Sequence, residues 1–151
     1  MSILERVRAC LAETDPDAKA DGAEGLWQDW QELLPAALES PETSPLERPG
    51  CPDRPILTPP ENMPRRELSG PSGHAALIHA LTHIEFSAIN LALDAVQRFV
   101  KMPADFHADW LRVAAEEALH FRLLRDHLRK LGHEYGDFPA HAGLWSLAEK
   151  T

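Results

Sequence analysis

Apolar residues recur at helical spacing along most of this chain. Ile3, Leu4, Val7 and Leu11 repeat at three and four, which predicts a short amphipathic helix that Asp15-Pro16 ends. A second helix is expected from about Pro16 to Leu34, with Leu26, Trp27, Trp30 and Leu33 on one side as a packing face. The period resumes at Ser72, the expected N-cap of a helix reaching about Val100. Its stripe reads Ile78, Leu81, Glu85, Ala88, Ile89, Ala92, Val96 and Phe99, widened by Leu77, Ile84 and Leu91. Pro103 suits the first turn of the next helix and Gly132 its close. The inner side of that helix carries Trp110, Val113, Ala114, Glu117, His120, Phe121, Leu124, Leu128 and Leu131. Two long helices with a tight connection form an antiparallel hairpin. A further helix begins near Ala142, with Leu144, Trp145, Leu147 and Ala148, and reaches Thr151 without a cap.

Residues 35–71 break the pattern, holding ten of the thirteen prolines. Proline fixes φ and lacks an amide donor, so neither a helix nor a central strand is expected there. An extended strap over the helices, with Ile56, Leu57 and Met63 tucked in, is the simplest arrangement. The chain thus divides into N-terminal helices (1–34), strap (35–71) and helical hairpin (72–151). No strand is expected, and the class is all-α.

Composition narrows the function classes. Hydrophobic residues are 44% and charged residues 26%, ordinary values for a soluble domain. The net charge of -9 and sequence pI of 5.3 argue against a nucleic-acid surface. No unbroken run of roughly 18 apolar residues occurs, so no membrane span is expected. The first residues, Met1-Ser-Ile-Leu-Glu-Arg, lack a secretory apolar segment, and Cys10 and Cys51 read as reduced thiols. A cytoplasmic protein is the expectation.

Candidate chemistry lies on the hairpin. Glu117 and His120 stand one turn apart within an apolar stripe, and Glu85 sits the same way on the preceding helix. As a bare pattern Glu-x-x-His is weak, since 14 Glu and 8 His in 151 residues give about 0.7 such pairs by chance. Placement gives it weight. Glu116 falls on the polar side, whereas Glu117 has Val113, Ala114 and Phe121 on its face. Two carboxylates brought together on an apolar face repel, and a divalent metal with an imidazole relieves that. One Glu followed by Glu-x-x-His is half the ligand set of a di-metal carboxylate bundle. The metal-free alternative is a hydrogen-bonded Glu-His pair, with Glu85 reaching solvent. His83, two residues from Glu85, is expected to support the ligands from behind rather than to bind metal. His79 and His83 have zinc spacing but no third ligand; His74, His107, His127, His133 and His141 read as solvated.

Longer stretches carry a family likeness. Pro52-Asp-Arg-Pro, Pro64-Arg-Arg, His79-Ala-Leu-Thr-His-Ile-Glu85, the run Asp109 to Phe121 and the run Leu131 to His141 resemble a bacterial ferritin-like family. That family is catalogued as a domain of unknown function, number 455. The likeness covers residues 50–151, with Ala142 a small departure. It implies a ferritin-like four-helix bundle carrying two iron or manganese ions. By that resemblance Glu85 is the first-helix ligand, and Glu117 and His120 are the second-helix pair, with Glu117 bridging. The family continues into two further helices bearing another Glu and another acidic-x-x-His, and Glu149 sits too near its helix start to replace them. A chain shortened after the first two bundle helices is therefore expected. The functions in view are an O2-dependent di-metal oxidase or hydroxylase, a metal storage or handling protein, and a metal-free helical interaction protein. A homodimer would bring the ligand set to six.

Overall fold

The computed structural model describes residues 1–39, 43–62 and 70–149. Five helices dominate: α1 (Ile3–Ala12), α2 (Pro16–Leu33), α3 (Pro71–Arg98), α4 (Ala104–Lys130) and α5 (Gly143–Glu149). Local chemistry sets their ends. The Ser2 hydroxyl accepts from the Glu5 amide, and Asp15 accepts from Ala18 with Pro16 in the first turn of α2. Gly132, at φ 85°, supplies the left-handed residue that ends α4. At α3 the expected cap is displaced. Gly70 is the cap residue and Pro71 occupies the first turn, so Ser72 lies inside the helix. Proline's fixed φ suits that first position better than a cap position.

α3 and α4 pair along their lengths, with α1 laid mainly against α3 and α2 against α4. One core runs through all four, from Leu4, Val7 and Leu11 through Leu26 and Trp30 to Phe86, Ile89, Leu93, Leu111 and Phe121. Small residues at Ala20, Ala23, Ala92, Ala114 and Ala118, each fully buried, let the helices approach closely. Arg122 pairs with Asp21 and Glu24, and Arg125 with Asp17, tying α4 to α2. The N-terminal helices thus complete the core that the hairpin begins.

That cover rotates the hairpin relative to the expected stripe. Ile78, Ile89, Ala92 and Val96 are buried, but Leu81, Ile84 and Phe99 are exposed, and His79, Thr82, Phe86 and Asn90 turn inward instead. α3 is also long and apolar enough to cross a membrane, with a mean hydropathy of 1.3 over its best window, contrary to expectation. Its polar residues are too few to lower that average, and half of the window is buried inside this protein.

The strap is fastened through its backbone. The Gln97 side chain donates to the Leu46 carbonyl and accepts from the Leu46 amide, both at 2.9 Å. The Gly50 amide donates to the Leu11 carbonyl at 2.8 Å. A Cβ at Gly50 would lie 2.0 Å from the Ala12 carbonyl oxygen, so only glycine fits this approach. Leu38, Leu46 and Cys51 are the strap's apolar anchors. Ile56 and Leu57, expected to be tucked in, are 67% and 47% exposed. Met63 and Pro64-Arg-Arg lie outside the described residues.

The expectation of no strand also fails. β1 (Leu57–Thr58) runs parallel to β2 (Ala140–His141). The bonds Ala140 N–H to Ile56 O, 2.9 Å, and Ala142 N–H to Thr58 O, 3.1 Å, use the strap as acceptor. Proline removes donors but leaves carbonyls, so a Pro-rich segment still pairs in this sense. The protein is mostly helical with this small parallel sheet.

Candidate metal centre

The antiparallel pairing of α3 and α4 brings Glu85 opposite Glu117 and His120. His120 Nδ1 lies 3.7 Å from Glu85 Oε2 and 3.5 Å from Glu117 Oε2. One ligand atom from each residue falls within 4.8 Å of the others. Donors around a single first-row ion, at roughly 2.0–2.2 Å from it, stand about 3–4.4 Å apart. The two His120 separations lie in that range and the 4.8 Å bound on the whole set lies slightly above it, so a small adjustment brings the three side chains around one ion.

Two further features point the same way. No hydrogen bond joins the three side chains, although their atoms converge, because both His120 separations exceed normal hydrogen-bond length. Among the described residues, neither Glu85 nor Glu117 forms an ion pair with a lysine or arginine. The cluster is less buried than its apolar neighbours imply: the Glu85, Glu117 and His120 side chains are 24%, 22% and 50% exposed. α1 and α2 cover the other side of the hairpin, which leaves these residues at the open flank of the core.

The other histidines behave differently. His83 is 7% exposed; its Nδ1 meets the Tyr135 hydroxyl at 2.8 Å and its Nε2 meets the His141 carbonyl at 3.1 Å. Those bonds lead to the α4–α5 connection, and none reaches the Glu85–Glu117–His120 cluster. His79, 1% exposed, accepts from the Gly136 amide at 2.9 Å and packs against Tyr135 and Phe138. The two histidines therefore hold the connection against α3 and do not form a zinc pair. Burial pushes both down to about 4, and they stay neutral near pH 7. His107, expected in solvent, is fully buried, and its Nε2 meets the Val100 carbonyl at 3.1 Å across the α3–α4 turn.

Sequence reasoning missed Lys19. This side chain is fully buried, and its Nζ donates to Leu11 O at 3.0 Å, Gly50 O at 2.6 Å and Asn90 Oδ1 at 2.6 Å. The ammonium also lies 5.1 Å from the centre of the Phe86 ring. Burial lowers its pKa to about 8, which leaves it charged at neutral pH. One surface-style lysine in a helix carries no sequence signal of this role. Cys10 and Cys51 are free thiols, both raised in pKa by burial.

Known proteins offer a family but no activity. Residues 12–151 match the family described as "Protein of unknown function (DUF455)". An uncharacterized protein of Haemophilus influenzae is 49% identical over 107 residues, which are 66% of this chain and 37% of that protein. The chain thus spans little more than a third of that relative's length. No solved structure matches. With nearly its whole length inside the matched region, the chain belongs to the DUF455 family.

Proposed function

We propose that Glu85, Glu117 and His120 hold a first-row divalent metal, iron or manganese, as one half of a ferritin-like di-metal carboxylate centre. The observation that carries this reading is the convergence of two carboxylates and an imidazole with no hydrogen bond joining them and, among the described residues, no arginine or lysine paired with either carboxylate. A shared cation would offset the repulsion between the two carboxylates, and the His120 imidazole would supply a nitrogen ligand beside them. A bound ion would supply Lewis-acid and redox chemistry of the oxidase or hydroxylase kind. The half-exposed His120 leaves one side of the centre open to further ligands.

Two ions need about six protein ligands in such bundles, so three come from elsewhere. A two-fold pair of these chains supplies them, as does a longer chain bearing a second Glu and Glu-x-x-His. Exposed apolar residues flank the cluster: Leu81 one turn before Glu85, Leu77 two turns before it, Ile84 next to it, and Leu123 one turn after His120. Surfaces of that kind favour association. A cytoplasmic setting belongs to the same proposal.

Metal analysis of the purified protein, paired with its mass in solution, tests the reading. The expected result is a dimer with iron or manganese at up to two ions per pair, lost in Glu117→Ala. A metal-free monomer, even after loading with ferrous iron under nitrogen, would leave a helical interaction protein as the better description.

A further inference from the structure

A second cleft, sharing no residue with the carboxylate cluster, lies between the strap, α3 and α5. It encloses about 320 Å3 and is lined by polar and apolar groups together. On its α3 wall sits Asn90, only 3% exposed. Lys19 Nζ donates to Asn90 Oδ1 at 2.6 Å, which fixes which end of the amide is oxygen. The Asn90 Nδ2 protons are thereby turned away from Lys19, and they meet no acceptor among the described residues. An amide whose donors face a cleft can offer them to an acceptor there.

The charge around it selects the sign of that acceptor. Lys19 is a buried cation whose bonds all run to neutral oxygens; the Glu13 carboxylate acts on it only from a distance, and no carboxylate pairs with it among the described residues. Buried charges ordinarily have a counter-ion, so this one leaves a positive field in its neighbourhood. Arg48, at the cleft rim on the strap, likewise has no ion pair among the described residues. Among the described residues Glu149 is the one acid on the wall; it is exposed, and solvent screens it. Phe86 and Leu57 supply apolar surface beside these groups.

We infer that this cleft binds a small organic carboxylate, its oxygens on Asn90 Nδ2 and Arg48 near the Lys19 charge and its apolar body against Phe86 and Leu57. A body of about ten heavy atoms suits a cleft of this size. The inference stands apart from the metal proposal, since a metal-free protein retains every group it uses.

Phenylacetate, titrated calorimetrically at pH 7, is the probe, with phenylacetamide and inorganic phosphate as comparators. The expected result is saturable binding of phenylacetate, about tenfold or more tighter than the amide. Asn90→Asp keeps the shape and the Lys19 contact but replaces the free donors with negative charge. It should abolish binding while the melting temperature holds or rises. Arg48→Ala, on the exposed rim, should weaken binding several-fold and settles the matter if Asn90→Asp folds poorly. Equal affinity for acid and amide, preference for phosphate, or an unchanged affinity in both variants would overturn the assignment.

Discussion

Lowering the pH from 7 to 5 should remove about 4 kcal/mol of folding stability, about 2 kcal/mol from each of His79 and His83. Both imidazoles are almost fully buried, and burial holds each folded-state pKa near 4 against an ordinary 6.5. Between those values the unfolded chain binds protons that the folded chain refuses. Stability is therefore intact above about 6.5, falls as the pH drops through the window, and levels off below about 4. Geometry explains the refusal at His79: its Nε2 accepts the Gly136 amide at 2.9 Å, and a proton there would set two donors against each other. At His83, burial is the largest cause, and the His141 carbonyl at 3.1 Å only partly offsets it. Urea denaturation at the two pH values measures the effect. His79→Gln retains an acceptor for Gly136 and should lose about half of the acid sensitivity. A stability that stays flat between pH 7 and pH 5 would contradict the neutral buried pair.

Lys19→Ala should cost about 3 kcal/mol, which for a domain of this length lowers the melting temperature by roughly 6–12 °C. The lysine joins α1, the strap and α3 through three oxygens. Leu11 O keeps a bond from the Gly50 amide when the lysine goes, but Gly50 O and Asn90 Oδ1 lose a charged donor at 2.6 Å each. The packing of the fully buried stem and the ammonium's contact with the Phe86 ring are lost as well. Buried ion pairs are often replaced by apolar groups without loss, because both partners can be exchanged together. Here a partner is backbone and cannot be exchanged. Lys19→Met, which keeps the volume, should therefore recover only the packing part of the deficit. Thermal unfolding of the two variants separates the contributions, and a Lys19→Met protein as stable as the parent would show that the ammonium bonds contribute nothing net.

The hairpin and its candidate ligands were legible because both rest on local periodicity. Pro16 in the first turn of α2 and glycine past the end of α4 mark real boundaries, Pro103 caps α4 rather than entering its first turn as expected, and the spacing of Glu85, Glu117 and His120 placed them on facing helices. The orientation of the hairpin was not legible, since it depends on which face α1 and α2 cover. That choice moved Leu81 and Ile84 outward and His79, His83 and Asn90 inward. A signal existed: Ala75, Ile78, His79, Thr82, Phe86, Ile89 and Leu93 keep helical phase as well as the expected stripe does. Polar residues within that phase made it look like the solvent side. Lys19 and the short parallel strand pair are purely tertiary. The first depends on the arrival of Gly50 and Asn90, and the second on carbonyls that proline leaves free.

Manganese binding, followed by the electron paramagnetic resonance of the free ion, tests the metal reading most directly. The protein should take up Mn2+ saturably, and Glu85→Ala, Glu117→Ala and His120→Ala should each weaken uptake by about tenfold or more. Their folding should be nearly unchanged, because the three side chains are partly exposed and not hydrogen-bonded to one another. Uptake that is absent in the parent, or equal in the parent and Glu117→Ala, would contradict a metal site at these three residues.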